Sequence, residues 1–470
     1  MSAMNMTRIV ISLLWLSALL GSCVSALTVD ETAKLDNYIR TVMDCRHLGP
    51  GVSVTMVKGG EVVYSNSFGV VDVETQEPVT QKSKFCIGSA TKSFTATLLG
   101  NLLTENKQIN FDTLLSDILG DNFTLIDTQR SKHASLRDVL VHDMGVQRFD
   151  GCFMTGGFYN TTRAQAVRKL KYLKEALPFR SYFMYNNWMY MLAGYAAEKI
   201  SGTGQTCEQL ISDRILKPLG MDTAAWVTPD LNDWSGFALP HAYTLDGYRA
   251  TQHSGNIFGY QTVMWLLPDL NVGVTISCNG PSDVGNLLGL QMIVYHALDI
   301  LSGEPSWLNE TTACSFPEPW ARSDSEAADI RDILLIPKDY FPESSGGDSR
   351  PNDALRKASL PLDAFIGLYS NDFAGSMNIS LNTDRNSLYF RHGTVGNGYM
   401  TKLQFPPNSF KIDFEGPLWF MSNSTSMMNT NLYFSVSDDD DVTQVTVPWF
   451  SADIYPVFTK DPQAPPQSAK

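Results

Sequence analysis

The chain has 470 residues, a formal net charge of −14, and 43% hydrophobic against 18% charged residues. This composition is typical of a globular protein and excludes a disordered one, while the length predicts two domains. The acidic balance argues against nucleic acid as a partner, and its simplest meaning is solubility.

The first 26 residues are typical of a secretory signal peptide. Arg8 precedes an apolar run over 9–20, and small residues at 24–26 mark the expected cleavage site. The apolar run is short for a membrane span, and no later segment is long enough. We therefore expect a secreted, extracellular protein without a membrane span.

The cysteines and the glycosylation sequons agree with an extracellular location. Six cysteines follow the signal segment: Cys45, Cys86, Cys152, Cys207, Cys278 and Cys314. They allow up to three disulfides, whose pairing the sequence leaves open. Since no pair has Cys-x-x-Cys spacing, we expect no zinc site, and we predict no metal or cofactor. Sequons predict glycans at Asn122, Asn160, Asn309, Asn378 and Asn423.

The elements predicted up to residue 305 alternate in type. In chain order the patterns predict a helix over 30–46, a hairpin over 52–69, a helical stretch over 89–220, a second hairpin over 256–279 and a closing helix over 284–301. Gly59-Gly60 and Pro268-Asp269 mark the two hairpin turns. Strands on both sides of a helical insertion predict an α+β fold, with an antiparallel sheet flanked by helices and a helical subdomain.

The composition changes beyond residue 305. We predict a linker region over 306–358, a small all-β C-terminal domain over 359–460 and a disordered tail over 461–470. The β prediction rests on short alternating runs separated by Gly, Asn, Asp and Pro. With the signal segment 1–26 and the α+β domain 27–305, these ranges give the whole predicted domain organisation.

One short stretch carries a chemical signature. In "GSATK", Lys92 follows Ser89 by three residues where a helix is predicted to begin, so that both side chains share one helix face. A serine hydroxyl is a poor nucleophile until a nearby base takes its proton. A lysine can act as that base only where burial lowers its pKa. The bland alternative is a serine cap followed by a surface lysine.

Three further stretches decide between these interpretations. They are "SLRDVLVHDMGV" at 135–146, "YNNWMYMLAGYAAEKISG" at 185–202 and "HSGNIFGY" at 253–260. With "FCIGSATKSFTA" at 85–96, they resemble the serine β-lactamase and penicillin-binding-protein superfamily. The most similar branch contains class C β-lactamases, D-alanyl-D-alanine carboxypeptidases and esterases. The resemblance runs from about residue 30 to residue 302.

The resemblance implies a serine hydrolase that forms an acyl-enzyme with a small amide or ester substrate. It makes Ser89 the nucleophile and Lys92 and Tyr185 the proton-transfer pair, with the choice of base between them left open. The backbone N–H groups of Ser89 and Asn256 would form the oxyanion hole. It also implies substrate contacts for a larger set: Asn187, His253, Ser254, Gly255 and Asn256.

Other matches in the sequence are weaker. Tyr-x-Asn also occurs at 64–66 and 369–371, where its position in the chain is wrong for the family. We expect His142 to be structural, since geometry and not mere presence makes a base. The run Asp438–Asp441 is a candidate for weak contact with Ca²⁺ or mineral, but a solvated turn is the simpler interpretation.

One departure from the family keeps a second class of function open. His253 follows Gly220 by only 33 positions, and relatives have a longer segment here, so the helical subdomain is predicted to be shortened. A substrate cleft that lacks one wall would hold its substrate poorly, and this is what a catalytically weak scaffold would show. β-Lactamase-like proteins of the gigasin type occur in molluscan shell matrices, and the chain is similar to them. The alternative is therefore a secreted matrix glycoprotein with matrix or mineral contacts in a biomineral.

Overall fold

The computed structural model describes most of the chain. The described ranges are 26–46, 48–120, 123–158, 161–226, 251–257, 259–280, 284–315, 360–404, 406–416, 418, 430–451 and 453–462. Several predicted features lie outside them, namely residues 1–25 of the signal segment, most of the linker, residues 463–470, the short segment 227–250 and the sequons at Asn122, Asn160 and Asn423.

The described part of the chain forms ten α-helices and thirteen strands. The helices are α1 (Val29–Arg46), α2 (Thr91–Glu105), α3 (Leu115–Leu119), α4 (Thr128–His133), α5 (Leu136–Leu140), α6 (Gly151–Met154), α7 (Arg163–Lys169), α8 (Asn187–Ser201), α9 (Cys207–Ile211) and α10 (Val284–Ser302). The strands of the first part are β1 (Gly51–Lys58), β2 (Glu61–Gly69), β3 (Thr251–Ile257), β4 (Tyr260–Leu267) and β5 (Val272–Cys278). Those of the C-terminal part are β6 (Gly367–Asn371), β7 (Gly375–Asn382), β8 (Ser387–His392), β9 (Gly396–Lys402), β10 (Ser409–Phe414), β11 (Asn431–Val436), β12 (Val442–Thr446) and β13 (Val457–Lys460).

These elements fall into two compact units. The first holds α1, β1–β5, α10 and the chain up to Thr91, while the second holds residues 92–222 and the C-terminal strands. The predicted α+β fold class, with its all-β C-terminal part, is confirmed. The predicted domain boundaries stay a prediction.

The first unit is built on a five-stranded antiparallel sheet in the order β2-β1-β5-β4-β3. Alternate residues of β1, Val52, Val54 and Met56, are fully buried in one apolar core with residues of α1 and α10. Gly59 and Gly60 both have positive φ, which a two-residue turn between twisted strands requires. The sequence therefore predicted this hairpin correctly.

The second hairpin differs from its prediction. The run 256–267 was expected as one strand, but the chain turns at Gly259, whose φ of 75° only glycine adopts readily. A separate strand, β3, precedes this turn and forms the edge of the sheet. As a result, His253, Ser254 and Gly255 lie on an edge strand.

The second unit combines short helices with a closed eight-stranded barrel. Its order is β10-β11-β12-β13-β6-β7-β8-β9, and β9 pairs with β10 to close it. β6, the first barrel strand in the chain, pairs with β13, the last, through Ser370 opposite Thr459. Phenylalanines of the barrel and apolar residues of the helices share one buried core. The predicted all-β character of the C-terminal part is thus confirmed, and its strands form a barrel.

A disulfide joins Cys45, near the end of α1, to Cys314, with a Cα–Cα distance of 5.5 Å. Beside it, Arg46 Nε donates a hydrogen bond of 3.0 Å to the carbonyl of Ala313. Cys86, Cys152 and Cys207 remain thiols, and burial raises the pKa of Cys86 to about 11. Within the described ranges, no helix has the length and apolar content needed to cross a bilayer.

Two predicted sequons and the acidic run lie on described residues. Asn309 is exposed in a turn after α10, whereas Asn378 is partly buried on β7. Asp438–Asp441 forms the exposed turn between β11 and β12, in which Asp440 has a left-handed backbone. No described group of three or more His, Cys, Asp or Glu side chains is arranged to hold a metal ion.

Candidate active site

Ser89 lies in a 3-10 turn, Gly88–Ala90, that leads without a break into α2. In the first unit this turn packs against the edge strand β3. The contact is tight at Gly255, where a Cβ atom would lie 1.8 Å from the carbonyl oxygen of Ile87. Glycine is therefore required here, because any side chain would push the turn that carries Ser89 away from the strand.

We predict that Gly255→Ala lowers the free energy of unfolding by at least about 3 kcal/mol, at the upper end of overpacking costs. It should also reduce reactivity at Ser89, because the turn must shift. Denaturant unfolding and labelling of Ser89 by a fluorophosphonate probe measure the two effects. Gly100→Ala is the matched control, since its Cβ meets no atom within 4 Å and it lies inside α2. An undisturbed Gly255→Ala protein would contradict the proposed packing constraint.

His253 stands two residues before this contact on β3. Its Nδ1–H donates a hydrogen bond of 2.7 Å to the carbonyl of Ser254, which fixes Nδ1 as the protonated ring nitrogen. Both His253 and Ser254 are partly exposed, as a substrate contact requires.

Lys92, Tyr185 and Asn187 come together in the second unit. The Lys92 amine is buried, donates a hydrogen bond of 2.7 Å to Asn187 Oδ1, and lies 4.6 Å from the centre of the Tyr185 ring. Burial lowers the pKa of Lys92 to about 8, while the nearby Asp150 carboxylate opposes this shift. A substantial fraction of the amine is therefore neutral near physiological pH, as a general base requires.

Hydrogen bonds and a ring contact with neighbouring residues fix the position of segment 185–187. Asn186 Oδ1 accepts from the Trp188 N–H and caps α8, and Asn186 Nδ2 donates to the carbonyl of Val146 at 2.8 Å. His142 Nδ1 accepts from the Asn186 N–H at 3.1 Å, and its ring lies 4.5 Å from that of Tyr185. These contacts are what the structural interpretation of His142 leads one to expect. They also give a reason for asparagine at the middle position of the motif.

Asp150 is the site residue that the sequence did not reveal. Asn187 Nδ2 donates to Asp150 Oδ1 at 3.2 Å, so the carboxylate is joined to Lys92 through one amide. Burial raises the pKa of Asp150 to about 6. Asp150 and Asn187 are far apart in sequence and share no local motif, so nothing in the chain marks their pairing.

The structure thus divides the predicted residues into two groups. Ser89 and His253–Gly255 belong to the first unit, and Lys92, Tyr185 and Asn187 belong to the second. The side chain of Asn256 lies outside the described part. The two other Tyr-x-Asn matches are structural. Tyr64, on β2, donates its Oη hydrogen to Asp36 of α1, and Tyr369, on β6, donates its Oη hydrogen to the carbonyl of Phe365.

Comparison with known protein families identifies a match to one of them. Residues 35–233 match the Beta-lactamase family model. This part of the chain is similar to the β-lactamase family. This range includes Ser89, Lys92, Tyr185 and Asn187, and it ends before β3. The family predicted from the motif order is therefore confirmed for this part of the chain.

Three curated relatives are similar to this domain. The unguisins hydrolase ungD' of Aspergillus campestris is 30% identical over 45% of this chain and 40% of its own length. Gigasin-6 of Magallana gigas is 28% identical over 38% of this chain and 58% of its own. The D-aminopeptidase of Brucella anthropi is 27% identical over 43% and 37%. Each alignment therefore spans less than two thirds of the relative.

Solved structures include a penicillin-binding protein homologue from Pyrococcus abyssi. It is 18% identical, with a TM-score of 0.45 over 91% of this chain and 99% of that one.

Proposed function

We propose that this protein is a secreted serine hydrolase that acts through an acyl-enzyme on a small amide or ester. The observation that carries the proposal is the buried Lys92 amine, three residues after Ser89, with its pKa lowered to about 8. A structural or surface lysine has no need of such an environment. The family and its hydrolase and peptidase relatives support the same class of reaction.

In the proposed mechanism, Ser89 Oγ attacks the carbonyl carbon of the substrate while its proton passes to the neutral Lys92 amine. Tyr185 shares this proton transfer, and the proton then goes to the leaving amine or alcohol. The N–H groups of Ser89 and Asn256 stabilise the oxyanion, each donor contributing about 3–4 kcal/mol. Water attacks the resulting ester in the second half-reaction. Lys92 or Tyr185 accepts a proton from the water and returns it to Ser89 Oγ as the ester bond breaks and the carboxylic acid product leaves.

The test is intact-mass spectrometry after incubation with a fluorophosphonate or a β-lactam. One covalent adduct per chain, mapped to Ser89, is expected. A chain that gains no mass with either probe would contradict the proposal and favour the scaffold alternative below.

We predict that His253 docks an anionic substrate group. Histidine changes charge near neutrality, so the acylation rate of a carboxylate-bearing substrate, divided by that of an uncharged ester, should fall as pH rises from about 5 to about 8. His253→Gln should make this ratio independent of pH. Acylation rates for both substrates across this range are the measurement. Parallel profiles would instead indicate that His253 only donates a hydrogen bond.

Secretion is part of the proposal. The Cys45–Cys314 disulfide supports it, since such bonds persist in oxidising compartments. Asn309 is the proposed glycan acceptor among the described sequons, because it is exposed. Loss of a mass shift on glycosidase treatment of Asn309→Gln would test this assignment.

The similarity to gigasin-6 favours a second candidate, a secreted matrix glycoprotein that uses the fold as a scaffold. The short segment between Gly220 and His253 supports it too. This alternative predicts no adduct at Ser89 together with retention of the protein on calcium carbonate. An adduct without retention on the mineral would exclude it.

A further inference from the structure

A short chain of hydrogen bonds leads from the Lys92 amine through Asn187 to Asp150. Lys92 Nζ donates to Asn187 Oδ1 at 2.7 Å, and Asn187 Nδ2 donates to Asp150 Oδ1 at 3.2 Å. An amide side chain can turn over and exchange its oxygen and nitrogen. If Asn187 did so, it would present an NH₂ group to the lysine, which cannot accept from it when charged. The acceptor at Asp150 selects the productive orientation.

The segment that carries Asp150 is held by the C-terminal barrel. Gln147 Nε2 donates to the carbonyl of Ile454 at 2.7 Å, and the Arg148 N–H donates to Asp453 at 3.1 Å. The Arg148 guanidinium also lies 3.6 Å from the Asp453 carboxylate. Each of these contacts belongs to the second unit and precedes Asp150 by two or three residues.

Aromatic packing supports the same segment on both sides of Asp150. The Phe149 ring lies 5.1 Å from Phe373 and 6.0 Å from Phe450. At Gly151, a Cβ atom would lie 2.5 Å from the Cα of Phe450, so the backbone approaches the barrel as closely as glycine allows. Residues 147–151 therefore have contacts with the barrel along most of their length.

We propose that Asp150 is a positioning residue for the proposed hydrolase site, and that the C-terminal barrel holds it in place through segment 147–151. It acts through Asn187 and does not touch the substrate. The charged groups near it are Lys92, Arg148 and Asp453. The inference rests on the proposed function, because it requires Lys92 to work as a base.

The test compares two substitutions with different expected results. Asp150→Asn keeps an acceptor oxygen but removes the charge that favours the Lys92 ammonium. The pH midpoint of fluorophosphonate labelling should therefore move down, with little loss of rate at high pH. Asp150→Leu removes the acceptor as well, so the rate at high pH should fall roughly 10- to 100-fold, the loss typical of a hydrogen bond to a charged group. A purely structural role would move neither midpoint.

A barrel variant tests the second half of the proposal. Asp453→Ala frees Arg148 and should lower kcat for p-nitrophenyl acetate roughly 10-fold while KM changes little. Asp413→Asn is the matched control, because this barrel carboxylate contacts Thr401 and Lys411 on neighbouring barrel strands. Circular dichroism and thermal melts should show that each variant is folded.

The outcomes separate the two proposals. A wild-type protein that is never labelled contradicts the proposed function itself. A labelled wild type whose Asp150→Asn and Asp150→Leu variants keep its rate and pH midpoint overturns the positioning role alone. If both Asp150 variants behave as expected but Asp453→Ala matches wild type, the barrel does not hold Asp150.

Discussion

Ser89→Ala is expected to abolish covalent labelling completely, whereas Lys92→Met should only slow it. The reason is chemical, since the methyl group has no oxygen to form the ester, and no neighbouring base can compensate for this. Intact-mass spectrometry after exhaustive incubation with a fluorophosphonate gives the result directly. The expected spectrum is one adduct for the wild type and none for the variant.

Ser93→Ala is a suitable control for this experiment. It changes a second serine on the same helical segment, four residues further along. This control should label like the wild type. Equal labelling of Ser89→Ala and wild type would show that the probe reacts elsewhere and would remove Ser89 from the mechanism.

Lys92→Met is expected to slow acylation by about 10²- to 10⁴-fold, the usual contribution of a positioned general base. In the wild type, the labelling rate should rise with pH to a midpoint near 8, because burial lowers the pKa of Lys92 to about 8. The variant should lose this midpoint. Second-order labelling rates between about pH 6 and about pH 10 are the measurement. A midpoint that survives in Lys92→Met would assign the base role to Tyr185.

The same lysine makes a prediction about stability. Its pKa falls from 10.5 in the unfolded chain to about 8 in the folded protein. The folded state therefore binds fewer protons between these values, and the free energy of unfolding rises with pH across this window. Relative to Lys92→Met, the wild type should gain up to about 3 kcal/mol between pH 8 and pH 10.5. Denaturant unfolding at several pH values checks the sign.

Local patterns in the sequence predicted the fold well. The Gly59-Gly60 turn, the helix over 30–46 and the alternating runs of the barrel all follow from short-range rules, and each is present in the structure. The break at Gly259 was missed because the residues on both sides are apolar and suit one continuous strand. The left-handed backbone of that glycine lies between β3 and β4.

The candidate site was predictable to a smaller extent. The structure brings Lys92, Tyr185 and Asn187 together, and their proposed roles stay a prediction. Asp150 was not foreseen, since its contact with Asn187 depends on how segment 147–151 packs in three dimensions. Sequence spacing reveals partners within one helix or hairpin, but it carries no information about a carboxylate brought in by tertiary packing.

The pairing of β6 with β13 in the barrel affects how the protein folds during its synthesis. Because β6 pairs with β13, the barrel cannot close until Lys460 has left the ribosome, although β6 is synthesised almost ninety residues earlier. A nascent chain that ends before Val457 leaves β6 and β12 as open strand edges, which are templates for aggregation. Segment 147–151 is translated long before, and it would lack its contacts with the closed barrel until β13 is complete. Loss of the last strand alone, far from Ser89 in sequence, should therefore leave the barrel open and make the protein prone to aggregation.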